Sequence, residues 1–413
     1  MPDEALLQKI SDACDLIREK DPQIHAFLPE AERCERLQKE TQKLISRYPG
    51  QKPLLYGLSV GVKDLYNVEG MPTRAGSQLP ASAFAGEEAS LVTMLKTLGA
   101  LIIGKTVSTE FAYFQPGETR NPLNPDHSPG GSSSGSAAAV AAGMCEFALG
   151  TQTIASVIRP AAFCGIVGFK PSYGLFPMDG IFPFSQSADH PGFFSQDMDT
   201  MIRVMTAILP GWRDERTHLP VLGIPSASFL DQADPEARAA FDAFIRTSID
   251  EGMSVIQNDL FEDIQDINAL HQDLISREFY LNHQSLFSSY GSLYSKASRE
   301  LYLKGEGITD FAADQAKTAR KHHRHELSRI MRQSGIDLWI SPATTSTAPK
   351  GLQSTGSPLM SLPFTFCGLP GITIPFGKGA SGLPLGIQFS ADHGKDAWLL
   401  SAVKLIANSI LQG

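Results

Sequence analysis

Cysteine is scarce in this chain and forms no motif. Cys14, Cys34, Cys145, Cys164 and Cys367 are scattered over 413 positions without a C-x-x-C pair. This argues against a disulfide framework or a thiolate metal site, and an odd, dispersed set fits reduced thiols in a cytoplasmic protein. No stretch approaches the roughly 18 apolar residues that span a bilayer. Met1-Pro2-Asp3-Glu4 carries no basic region followed by an apolar one, so no secretory signal is expected. Basic charge is short as well: 35 Lys and Arg stand against 44 Asp and Glu, a net charge of −9. Only Lys317 to Arg329 forms a basic stretch, so a grip on nucleic-acid phosphates is not expected. His322, His323 and His325 in that stretch lack acidic or cysteine partners at ligand spacing and read as a solvated helix face, not a metal site. Internal repeats and long linkers are missing too.

What is present is enough apolar material for a large core, at 42% of residues. Length alone would suggest two or three domains. Strand and helix patterns alternate throughout, however, which favours one α/β unit over 1–413. Residues 1–50 are charged and amphipathic; Ala5 to Arg18 and Ala31 to Leu44 read as two helices packed on the main body.

Three short segments carry the chemistry. The first is Gly130-Gly131-Ser132-Ser133-Ser134-Gly135-Ser136 running into Ala137-Ala138-Ala139-Val140. A Gly/Ser tract alone is most often a linker. Here it feeds a helix-favouring alanine run without a break, which sets small side chains and free N–H groups beside a positive helix end. The second is Gly150-Thr151-Gln152-Thr153-Ile154-Ala155-Ser156, after the apolar strand Phe147–Gly150 and before Arg159-Pro160. The stretch from Phe163 to Pro171 reads as a further buried strand. The third is Leu58-Ser59-Val60-Gly61-Val62-Lys63-Asp64, an alternating run expected to deliver Lys63 toward the interior, against the plain alternative of a surface lysine paired with Asp64.

Together these segments resemble the core of the amidase signature family, whose members hydrolyse amides with a Ser/Ser/Lys triad. The resemblance extends over nearly the whole chain. It takes in Gly70 to Ser77, Leu98 to Thr106 with Glu110-Phe111-Ala112, and the C-terminal segments Asp337–Pro342, Gly368–Pro375 and Gly382–Gln388. About 210–330 matches weakly and is expected to be a variable helical region. The fold implied is α/β, a large mixed central sheet covered by helices on both faces.

The resemblance also implies roles. Ser156 is the nucleophile, Ser132 the bridging serine behind a cis Gly131–Ser132 bond, and Lys63 the base. The backbone N–H groups of Thr153, Ile154, Ala155 and Ser156 form the oxyanion hole. A serine hydroxyl is a weak nucleophile that needs a base, and lysine serves only if its pKa falls from about 10.4. No cofactor or metal is needed.

Two departures stand out. Ile154-Ala155 occupies the place of the usual glycine pair, with Gln152 in place of an aspartate. Arg159 follows the nucleophile by three positions where two is usual. The Ser-Val-Ile-Arg-Pro pattern looks like the malonamidase-type branch, in which Gln152 and Arg159 would contact substrate and the arginine would bind a carboxylate. The alternative is an arginine that pins the loop through backbone carbonyls.

Three functions stay open: an amidase acting on a small amide, such as a malonamate-like one; the glutaminase subunit of a tRNA-dependent amidotransferase, against which the short chain weighs; and a catalytically weakened binding protein. Specificity is expected from the middle region and from the loops at Phe182-Pro183-Phe184, Asp189-His190 and Thr344-Thr345, with no catalytic histidine required. A homodimer is left open.

Overall fold

The computed structural model describes residues 2–213 and 218–411. Ten strands form one mixed sheet: β1 (Ser59–Lys63), β2 (Leu101–Thr106), β3 (Phe147–Gln152), β4 (Val167–Lys170), β5 (His190–Ser195), β6 (Leu222–Ile224), β7 (Val255–Gln257), β8 (Leu338–Pro342), β9 (Gly371–Lys378) and β10 (Pro384–Ser390). Their order is β2-β1-β3-β5-β4-β9-β10-β8-β6-β7. β1 runs parallel to both β2 and β3, while β5, β4, β9 and β10 join the middle by antiparallel pairing.

Both faces of this sheet are buried, and the strand period of two shows how. Ile102, Phe147, Leu149 and Phe193 enter one hydrophobic core. Leu101, Ile103, Ala148 and Phe194 enter the other. On the second face lie the helices Asp3–Ile24 and Arg33–Arg47, which bury Leu6, Ile10, Cys14, Ile17 and Leu37 there. Beside them packs the helix Ser134–Ala141, whose run of alanines is fully buried. Small residues let that helix approach the sheet closely. A Cβ at Gly135 would lie 2.3 Å from both Val107 N and Ala26 O, so nothing larger than glycine fits.

Two boundaries differ from the sequence reading. Phe163 and Cys164 end the helix Ile158–Cys164, and Gly165 at φ 67° turns the chain before β4 begins at Val167. The buried strand read from Phe163 thus begins with the last two residues of a helix, because a helix against a sheet and a buried strand are both continuously apolar. The middle region is mostly helical, with long helices Ile264–Tyr290 and Asp310–Ser334, yet it also supplies β6 and β7 to the sheet edge.

Among the described residues no helix is long and apolar enough to cross a membrane.

Candidate active site

Adjacent parallel strands deliver the chemistry at their carboxyl ends, where open α/β sheets gather their sites. Lys63 is the last residue of β1; Thr151 and Gln152 close β3. The Gly/Ser loop that ends in the helix Ser134–Ala141 brings Ser132 and Ser133 to the same place, and the Gly131–Ser132 peptide is cis. Gly150 makes the room: a Cβ there would sit 2.7 Å from Ser133 Oγ.

Lys63 is fully buried, and its Nζ lies 2.7 Å from Ser132 Oγ, 3.0 Å from Ser133 Oγ and 2.7 Å from Thr151 Oγ1. Burial holds its pKa well below the ordinary lysine value, opposed only in part by the charge of Asp189. A neutral amine has two N–H donors and one lone pair. Ser133 cannot donate to that lone pair, because its own hydroxyl donates to Thr151 O at 3.2 Å. Ser132 and Thr151 are left as donors, and of the two only Ser132 lines the cavity that contains Ser156.

Ser156 follows β3 on a short turn into the helix Ile158–Cys164. That turn is held by side chains. Gln152 Oε1 accepts from Val157 N at 2.8 Å and Ile158 N at 3.0 Å, and its Nε2 donates to Thr365 Oγ1 at 2.9 Å. Thr365 in turn donates to Ile154 O at 2.7 Å. The sequence reading put Gln152 at the substrate; in the structure its amide oxygen caps this helix and its amide nitrogen is engaged by Thr365. None of the N–H groups from Thr153 to Ser156 donates in a hydrogen bond between described residues, and Thr153, Ile154 and Ser156 line the cavity. Neither Ile154 nor Ala155 has a positive φ. The turn therefore does not demand the glycine pair that is missing here.

The cavity is lined by Ser132, Thr153, Ile154, Ser156, Arg159 and an apolar wall that includes Tyr113, Phe114 and Phe184. It offers about 10 Å³ to the centre of a water-sized sphere, room for roughly one water. Arg159 is only 3% exposed. It donates from Nη1 to Gly356 O at 2.5 Å and from Nη2 to Gly131 O at 2.7 Å, and its guanidinium lies 5.7 Å from the centre of the Phe114 ring. Nε is buried with no partner, and burial lowers the group's pKa to about 9.

Other expected residues lie elsewhere. His190 is buried behind the turn, with Nδ1 2.6 Å from Ala188 O and 3.2 Å from Gln152 O. Burial and the charges of Lys170 and Arg320 keep it neutral. Thr344 and Thr345 do not line the cavity, whereas Phe184 does. Ser133 and Thr151, which complete the shell of Lys63, were not singled out from the sequence. Their only signal is position, one beside Ser132 and the other at the end of a predicted strand.

A model of the family described as Amidase matches residues 8–400. The chain belongs to the amidase family. It has that family's α/β fold, and it is a hydrolase of amide bonds. Among curated relatives, the matching subunit of glutamyl-tRNA(Gln) amidotransferase from Methanococcus maripaludis is 30% identical, the match covering 96% of this chain and 98% of that one. A crystal structure described as an amidase is 30% identical with a TM-score of 0.88, covering 98% of this chain and 96% of that one. A chain from a vestigial protein complex that bears on the origins of an s-triazine catabolic enzyme is 27% identical, with a TM-score of 0.86 over 98% of this chain and 95% of that one. The near-equal length of the Methanococcus relative removes chain length as an argument against an amidotransferase role.

Proposed function

We propose that this amidase cleaves a small amide bearing a carboxylate, malonamate-like, through an acyl-enzyme on Ser156. Neutral Lys63 takes the proton of Ser132, Ser132 takes that of Ser156, and the Ser156 oxygen attacks the amide carbonyl. The relay then runs backward to protonate the departing amine, and water cleaves the ester. The free N–H groups between Thr153 and Ser156 receive the oxyanion.

One observation carries the substrate class. Arg159 is a buried guanidinium on the wall of the Ser156 cavity, with no carboxylate within 4.0 Å among the described residues. A buried charge without a countercharge is costly, and a substrate carboxylate would supply one. The arginine also has donors left. Of its five N–H groups, two hold Gly131 and Gly356, so pinning the loop and binding an anion are compatible.

The Methanococcus relative favours a second reading, the glutaminase subunit of a tRNA-dependent amidotransferase. Glutamine brings an ammonium as well as a carboxylate, and no acidic residue lines the cavity. That absence, among the described residues, supports the purely anionic acyl group.

The test is a panel of small amides with and without a carboxylate. Malonamate is expected to be hydrolysed with a kcat/KM at least tenfold above that of propionamide. Arg159→Leu erases the preference mainly through KM, and Ser156→Ala abolishes turnover of both. Equal use of the two amides by the wild type would confine Arg159 to loop support.

A further inference from the structure

The segment 153–156 faces a conflicting demand. Its N–H groups must stay free, so no backbone ladder can hold it, yet donors that stabilise an oxyanion must be placed to a fraction of an ångström. Side chains have to do the holding, and one group holds two walls of the cavity at once. Asp189 is 6% exposed. Its Oδ1 accepts from the Thr153 hydroxyl at 2.6 Å; its Oδ2 accepts from Phe184 N at 2.8 Å and Ser185 N at 2.9 Å. Thr153 and Phe184 both line the Ser156 cavity.

The Phe184 side of this link is itself anchored. Ser185 Oγ donates to Glu278 Oε2 at 2.6 Å, and Ser187 N donates to the same oxygen at 2.9 Å, which fastens the 184–187 loop to the helix Ile264–Tyr290. Among the described residues no lysine or arginine lies within 4.0 Å of Asp189. In contact the carboxylate makes three hydrogen bonds and no ion pair, and its charge reaches Lys63 only from farther away.

We propose that Asp189 is a positioning residue for acyl transfer: through the Thr153 hydroxyl it fixes the oxyanion segment to the anchored 184–187 loop. This rests on Ser156 being the nucleophile. Ile154 O is tied separately to Thr365, so loss of the Asp189 link leaves the segment attached while removing the hold on the Thr153 side chain.

The experiment measures phosphonylation by a fluorophosphonate, in which the Ser156 Oγ–P bond forms, fluoride leaves and the hydroxyl proton passes into the relay. It needs no knowledge of the natural substrate. Thr153→Val is expected to lower the second-order rate constant at Ser156 by about 10²-fold, while labelling still reaches full stoichiometry at long times. A merely structural defect would instead lower the labelled fraction and leave the rate constant of the remaining sites alone. Thr153→Ser, which keeps the hydroxyl, recovers most of the rate. Asp189→Asn loses about as much as Thr153→Val, and the double variant loses no more than the larger single one. Should Asp189→Asn not fold, the Thr153 pair decides alone. A wild-type rate constant for Thr153→Val at Ser156, or losses that multiply in the double variant, overturns the positioning role only. Label on a residue other than Ser156 overturns the nucleophile and this proposal together.

Discussion

Removing Ser132 Oγ and removing the Lys63 amine should cost activity about equally, and removing both should cost no more than either. Lys63 touches three hydroxyls, and only Ser132 links it to the Ser156 cavity. Ser132→Ala leaves the base in place with two partners but cuts the path; Lys63→Met, of similar volume, leaves the path without a base. Groups that act as a unit in this way lose about 10³- to 10⁵-fold in rate, roughly 4–7 kcal/mol at about 1.36 kcal/mol per decade. Folding should be touched far less by Ser132→Ala, since one hydrogen bond among three is worth about 1 kcal/mol. Ammonia release from the best amide of the panel gives kcat/KM, and urea unfolding gives the stability change. A folded Ser132→Ala protein that kept more than about a tenth of wild-type kcat/KM would refute the relay. So would losses in the double variant that equal the product of the two single losses, since independent groups multiply.

Much of this site was legible because its parts are local. Strands announce themselves in Ser59–Lys63 and Phe147–Gly150, a loop feeding a helix announces itself in Gly130–Ser136 and the alanines after it, and the two cores split along the alternating residues of β2, β3 and β5 as a period of two requires. Gln152 shows where local reading ends. At the end of a predicted strand beside a proposed nucleophile it looks like a substrate contact, but its acceptor faces two N–H groups five and six residues on and its donor meets Thr365, over two hundred positions away. The same holds for Asp189 with Thr153, and for Tyr113, Phe114 and Phe184 closing the cavity from separate segments. Nothing in a linear pattern encodes such pairings. They depend on tertiary packing, which decides what a polar side chain of given chemistry will meet.

Arg159 makes the complementary point. The sequence leaves two roles for it as rivals, a carboxylate ligand or a loop clamp, whereas its donor count makes them compatible. Two N–H groups reach Gly131 O and Gly356 O. The Gly131 carbonyl directly precedes Ser132, so an anion bound by the remaining donors would be felt at the bridging serine as well as at the acyl group. Such binding would couple substrate charge to relay geometry.

Two further outcomes follow from the cap and from the base. Gln152→Leu strips the acceptor from Val157 N and Ile158 N and should lower stability by about 1–3 kcal/mol in urea titrations, with activity falling as Ser156 loosens. Gln152→Glu keeps an acceptor at a helix N-terminus and should retain more of both; equal damage from the two variants would deny the cap. For the base, burial lowers the Lys63 pKa well below that of free lysine, so the active neutral form is lost as pH falls through the lowered value, and kcat/KM should climb on its acid side. The sign for stability is the same. Between the lowered pKa and the unfolded value of about 10.4 the unfolded chain binds the extra proton, so holding Lys63 neutral costs stability there, and this cost fades as pH rises toward about 10.4. Lys170, buried with its pKa lowered to about 7, contributes in the same direction, so wild type must be compared with Lys63→Met at each pH. The variant should gain relative to wild type as pH drops from alkaline to neutral and should lack the ascending limb of activity. A difference in stability between the two that does not change with pH would mean that Lys63 enters the fold with its proton, and it could not then be the base.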